Sequence, residues 1–208
     1  GMASLVFSST LFLPMALSVV SGDSVAGEAS SGTLRNLLVV PAGRTRLLAV
    51  KYTGVAAFAL ACVVTVVGSG LVTGLVLFPA GDVVLLSGTA VGMADALGRA
   101  ALVVAYMTAM LATLGAIGLF FSTLTEVPMG AMAATVTVSI VSQILDAIPQ
   151  LSWLHEYLHA HWWTAFVDLL RDPVALGEIG RGLLVSAVYV AVFGSLAWAR
   201  FTTRDVTS

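Results

Sequence analysis

The densest group of reactive side chains falls late in the chain. His155-Glu156-Tyr157-Leu158-His159 fits H-E-x-x-H, and His161 follows two residues on. On a continuous helix residues four apart share a face, so His155 and His159 would bind zinc together, with Glu156 as the general base. That chemistry would make the chain a membrane-embedded zinc metalloprotease. A catalytic zinc also needs a third protein ligand. The choices are His161, which lies off that face on a straight helix, or Asp146, Asp168 and Glu178 at a distance. The pattern is short, and chance matches to it are common. Its surroundings, PQLSWLHEYLHAHWWTAFVDLLRDPVALGEI over 149–179, carry Trp153, Tyr157, Trp162 and Trp163. Amphipathic rings favour the headgroup level of a bilayer, so the segment reads first as an external interfacial piece without metal.

Other chemistry is sparse. Lys51 is the only lysine and no G-x-x-x-x-G-K-[ST] occurs, so the chain carries no phosphate loop of its own. Cys62 lies within an apolar run; as the single cysteine it forms no internal disulfide and reads as a small core residue. Glu126 in a turn and Asp146 near a helix end read as solvated or end-capping groups. No charge falls at the centre of a span, which argues against an ion-coupled transporter built on a buried carboxylate relay. Gly70-x-x-x-Gly74 and Gly88-x-x-x-Gly92 match the small-residue packing motif, a weak signal among 20 glycines.

The elements that must position these groups are membrane helices. Of 208 residues, 59% are hydrophobic and 10% charged, and the mean hydropathy is +1.02. A soluble domain normally has about a quarter of its residues charged. The net charge of −2 gives no reason to expect a nucleic-acid partner. At about 20 apolar residues per crossing, five spans are visible: 3–20 with a kink at Pro14, 47–78, 99–121, 128–148 and 180–199. They form a single transmembrane domain over 1–208. The stretch 79–98, with Asp82 and Asp95, is expected to be re-entrant or interfacial.

Lys and Arg set the orientation. Arg35, Arg44, Arg46, Lys51, Arg200 and Arg204 fall on one side, against Arg99, Arg171 and Arg181 on the other. This places the 21–46 loop and the C-terminus in the cytoplasm, and 149–179 outside. The first span lacks a positive leader and would start outside, so a further span in front of it is expected.

The loop between the first two spans is the longest polar interruption before 149–179. Asp23 is expected to cap a short surface helix, and Gly32, Pro41 and Gly43 punctuate the rest of the loop. Across Glu28–Lys51 the pattern E-x-x-x-G-T-L-R-N-L-L-x-x-P-x-x-R-x-x-L-x-x-K resembles the cytoplasmic loop of ABC-2-type transporter permeases. Here it consists of Glu28, Gly32-Thr33-Leu34, Arg35, Leu37-Leu38, Pro41, Arg44, Leu47 and Lys51. The order of later spans agrees, including the short turn after Gly118-Leu119-Phe120-Phe121-Ser122.

The resemblance implies an all-α integral membrane protein with six helices, five of them visible here. It implies a cytoplasmic coupling helix, Asp23 to Leu34, that docks into a separate ATPase subunit with Glu28 at the docking surface. Asp23, Glu28, Gly32, Thr33, Leu34 and Arg35 would serve coupling, and Arg44 and Lys51 would meet headgroups or the ATPase. It also implies a pair of short external helices over 149–172. The chain itself would hold no cofactor and catalyse nothing, with ATP and Mg bound by the partner ATPase. Hydrolysis in this class occurs between two ATPases, so a second permease chain, identical or closely related, is expected. The site of action is the cytoplasmic membrane.

Overall fold

The computed structural model describes residues 12–32, 43–77 and 83–203. They form α1 (Leu13–Ser30), α2 (Arg44–Leu77), α3 (Met93–Leu124), α4 (Pro128–Asp146), the one-turn α5 (Ser152–His155) and α6 (Leu176–Thr203). Two 3₁₀ segments, Pro149–Leu151 and His161–Leu170, flank α5. Ahead of α3 lies one antiparallel hairpin, β1 (Val83–Val84) with β2 (Ala90–Val91). Among the described residues, four helices, α2, α3, α4 and α6, are long and apolar enough to cross a membrane. Helices suit that role because each satisfies its own backbone groups where water is absent. The chain is an all-α, multi-pass membrane protein.

These four correspond to the predicted spans 47–78, 99–121, 128–148 and 180–199. Of the predicted span 3–20, residues 3–11 lie outside the described ones; the remainder belongs to α1, which corrects one expectation. Pro14 stands in the first described turn of α1, and the chain ahead of it, on which the expected kink depends, lies outside the described residues. The helix then runs past Val20 to Ser30, so Asp23 lies in its interior and is not an N-cap. The serines permit this continuation. Ser18 Oγ donates to the Pro14 carbonyl at 2.7 Å and Ser24 Oγ to Ser21 at 2.8 Å, so their hydroxyls are satisfied within the helix.

α3 is the centre of the bundle. Over half of its membrane-length window, 56%, is buried, against 11–17% for the other three. Met110, Leu111, Leu114 and Ile117 are fully buried at helical spacing, with Leu17 of α1 and Val55, Ala59 and Val63 of α2 in the same core. Small residues allow the closest approaches. A Cβ at Gly118 would collide with Ser21, and one at Gly22 would sit 2.7 Å from the Met132 backbone nitrogen. The two motifs singled out in the sequence do not do this. Gly70 and Gly74 have nothing within 4 Å of an added Cβ, and Gly88 (φ +81°) turns the β-hairpin.

The bundle has two distinct ends. At the end called proximal here, α1, α3 and α6 finish and α2 and α4 begin. At the distal end lie the hairpin, the start of α3 and the whole 147–175 connection. The expected interfacial stretch 79–98 therefore contributes a hairpin in its described part, tied down where Leu86 N–H donates to the Leu170 carbonyl at 3.2 Å.

Candidate functional site

The proximal end is held by side chains that cross from helix to helix. Ser122, near the end of α3, engages three backbone groups of α1. Its Oγ accepts from the Val25 and Ala26 amides at 3.0 and 2.9 Å and donates to the Gly22 carbonyl at 2.7 Å. Ser122 is fully buried. Lys51 of α2 pairs with Glu28 at 2.7 Å and also donates to the Ser24 carbonyl, joining α2 to the end of α1. Arg44 donates to the Thr202 carbonyl at 2.8 Å, placing a cation where the dipole of α6 is negative. Trp198 Nε1 donates to Thr45 Oγ1 at 2.9 Å beside it. Every helix end here is therefore tied to at least one neighbour, except the start of α4, which follows α3 through the short turn 125–127.

Of the predicted coupling and headgroup residues, the described ones, Asp23, Glu28, Gly32, Arg44 and Lys51, fall on this end. Asp23 is exposed on α1, its carboxylate lying over Gly27. Glu28, expected at the docking surface, and Lys51, expected to meet headgroups or the ATPase, pair with each other, because α1 runs on as one helix and brings Glu28 beside α2. Arg44 faces α6 in the same way. Gly32 closes α1 with φ +71°, the left-handed conformation that ends a helix and that glycine adopts without strain. Thr33, Leu34 and Arg35 lie outside the described residues. Ser122 was not singled out from the sequence. A lone serine in an apolar run carries no signal until its partner helix is known.

The distal end rearranges the histidines. α5 stops at His155, and turns occupy 156–160. His155 and His159 therefore share no helical face, and the H-E-x-x-H reading fails on geometry. His159 points inward. Its ring meets Trp163 edge-on at 5.2 Å and Tyr189 at 6.0 Å, and neither ring nitrogen has a hydrogen-bond partner. Burial lowers its pKa to about 4 against a smaller opposing pull from the Met110 backbone, so the imidazole is neutral. Glu156 is exposed, and its backbone carbonyl accepts from Trp162 Nε1 at 3.0 Å.

His161 instead meets Asp146, the last residue of α4, Nδ1 to Oδ1 at 2.7 Å, and His155 Nδ1 lies 4.0 Å from the same oxygen. Asp168, weighed as a third ligand, pairs with Arg171 at 3.4 Å. Asp146 was expected to be merely solvated or end-capping; it is where the two histidines converge.

The tryptophans also divide. Trp153 and Tyr157 are exposed, as headgroup anchors would be, whereas Trp162 and Trp163 are buried. The reason is the 3₁₀ segment. With three residues per turn, Trp163, Phe166 and Leu169 stack on one face, and that face packs onto the core. Tyr106 of α3 fastens it by donating to the Trp162 carbonyl at 2.7 Å. The Trp-x-x-Phe-x-x-Leu spacing was the readable signal. Arg99 fixes the far end of the segment, pairing with Asp172 at 3.5 Å and donating to the Leu169 and Arg171 carbonyls.

The family model described as ABC-2 family transporter protein matches residues 1–142. That range covers α1 to α3 and most of α4. No curated protein matches the chain.

Proposed function

The chain belongs to the ABC-2 transporter family, and on that premise we propose that it is the membrane subunit of an ATP-driven exporter whose ATP is hydrolysed by a separate subunit. Membership makes it a membrane component of an ABC transporter. The ATPase partner, the outward direction of transport and the pairing of two such chains are the proposed part. In this reading the proximal end faces the cytoplasm, in keeping with the excess of Lys and Arg there, and ATP and Mg belong to the partner.

The observation that carries the coupling role is the clamp on α1. Its C-terminal turns hold the exposed Asp23 and are fixed to α3 by Ser122 and to α2 by Lys51. A force applied to these turns by an ATPase reaches the central helix of the bundle without passing through a loop. Asp23, Glu28 and the Gly32 turn, with Thr33, Leu34 and Arg35 beyond it, are the proposed coupling residues. Glu28 acts in this reading by holding α1 to α2, and Arg44 and Lys51 by bracing the helix ends.

The test is copurification with the cognate ATPase and its stimulation by the membrane subunit. Asp23→Arg changes an exposed charge and leaves Lys51–Glu28 and Ser122 intact. Gly32→Pro replaces a φ of +71° by one near −65° and redirects the chain leaving α1. Each variant is expected to insert normally and to reduce ATPase capture or stimulation about tenfold or more. Wild-type capture and stimulation in both properly inserted variants would remove this segment from the coupling path.

A further inference from the structure

We propose that Asp146, His155 and His161 form a binding site for a first-row divalent transition cation, zinc being the best match to its donors. The three belong to different elements: the end of α4, the end of α5 and the start of the second 3₁₀ segment. One ligand atom from each lies within 4.8 Å of the other two. The separations are 2.7 Å from Asp146 Oδ1 to His161 Nδ1 and 4.0 Å to His155 Nδ1. Ligand atoms at about 2.1 Å from a tetrahedral zinc stand roughly 3.4 Å apart. Side-chain adjustments of about an ångström therefore suffice to close the site.

His155 is already oriented for the role, while His161 Nδ1, which donates to Asp146 in the metal-free site, would give up that proton as the ion binds. His155 Nε2 lies 3.1 Å from the Ile148 carbonyl. A carbonyl only accepts, so Nε2 carries the proton, and in the neutral ring the lone pair sits on Nδ1, facing Asp146. This is the usual arrangement of a metal-bound histidine, whose second nitrogen donates to a carbonyl that fixes tautomer and ring plane. A simple tie between Asp146 and His161 gives no reason for His155 to be aimed in this way.

Position adds an electrostatic reason. Asp146 ends α4, so its carboxylate sits beside helix carbonyls carrying the negative end of the dipole. Two negative groups in one place favour a cation between them. The site is half-buried, with side-chain exposures of 17%, 27% and 35% for His155, Asp146 and His161, so an ion can reach it from solvent. Two nitrogens and one carboxylate oxygen suit zinc and neighbouring metals better than calcium or magnesium, which prefer all-oxygen shells. A fourth position remains for water or another ligand. The bound ion would join the end of α4 to the 147–170 segment.

The experiment uses the full chain purified in detergent, titrated with Zn²⁺ and with Co²⁺ as the coloured probe. One ion per chain is expected, with tetrahedral Co²⁺ bands that Zn²⁺ displaces and a thermal unfolding midpoint that rises with Zn²⁺. Asp146→Asn, His155→Ala and His161→Ala should each weaken binding about tenfold or more. His159→Ala and Glu156→Gln should leave it unchanged. His155→Gln and His161→Gln replace the alanine variants if those elute as aggregates. Absence of saturable one-to-one binding in the wild-type chain overturns the proposal. So does binding lost in His159→Ala but kept in His161→Ala. None of these readouts depends on transport or on an ATPase, so the outcome is independent of the exporter reading.

Discussion

Removing the Ser122 hydroxyl isolates the clamp on α1. Ser122→Ala deletes one oxygen, leaves no sizeable cavity and removes three hydrogen bonds to the Val25 and Ala26 amides and the Gly22 carbonyl. Side-chain hydrogen bonds between membrane helices average about 0.6 kcal/mol each, so the three together predict a loss of about 2 kcal/mol. Ser18→Ala is the matched control. Ser18 is equally buried, but its hydroxyl bonds only to the Pro14 carbonyl of its own helix at 2.7 Å. Its loss should cost at most about 0.5 kcal/mol, because the backbone ladder remains intact. Reversible unfolding of the detergent-solubilised protein measures both. Equal stabilities for the two variants would show that Ser122 does not hold α1 to α3. A loss in Ser122→Ala together with retained ATPase stimulation would show that the clamp stabilises the bundle but does not transmit force.

Two further perturbations test the packing and the proximal ion pair. Gly118→Ala drives a Cβ into Ser21 and should cost about 1–3 kcal/mol by overpacking, with much of the loss recovered by adding Ser21→Gly. Gly68→Ala on α2, where nothing lies within 4 Å of the added carbon, should be neutral or stabilising by up to about 1 kcal/mol from helix propensity. A like effect at both positions would contradict the packing described for α1 and α3. For Glu28 and Lys51, a double-mutant cycle with Glu28→Gln and Lys51→Gln should give a coupling energy of about 1–2 kcal/mol. That lies above an ordinary surface pair, because Lys51 is only 11% exposed, and below a fully buried one, because Glu28 is 32% exposed. A coupling near zero in low-salt detergent would mean that the pair does not hold α2 against α1.

Four of the five expected spans coincide with helices long and apolar enough to cross, because length and hydropathy are properties of the sequence itself, and 128–148 against Pro128–Asp146 shows how close that comes. A helix beyond Asp23 was expected, but its unbroken continuation from the preceding span through Ser21–Asp23 was not legible. Serine, glycine and aspartate in a row normally mark a break, and only the neighbouring Ser122 and Lys51 make continuation favourable. The same limit applied to H-E-x-x-H. The pattern presumes an unbroken helix, and no Gly or Pro between His155 and His161 announces its end. The stop comes from Trp162 and Trp163 folding onto α3, a tertiary preference that overrides local propensity. His161 was weighed as a third ligand lying off the face of a straight helix, and Asp146 as one at a distance. Once the helix is broken, they are the partners that His155 meets.

The close contact between Gly22 and Met132 holds α4 near its beginning, while relatively little of the rest of that helix is covered. With 19 residues at 1.5 Å each, α4 is about 28 Å long, and its opposite tip is fastened too, where Asp146 meets His161. A stiff rod secured near both ends and little covered between them works as a strut: a displacement imposed at one end is delivered to the other along the axis. The Gly22 contact and the Asp146–His161 pair are thereby the two feet of one member joining the two ends of the bundle.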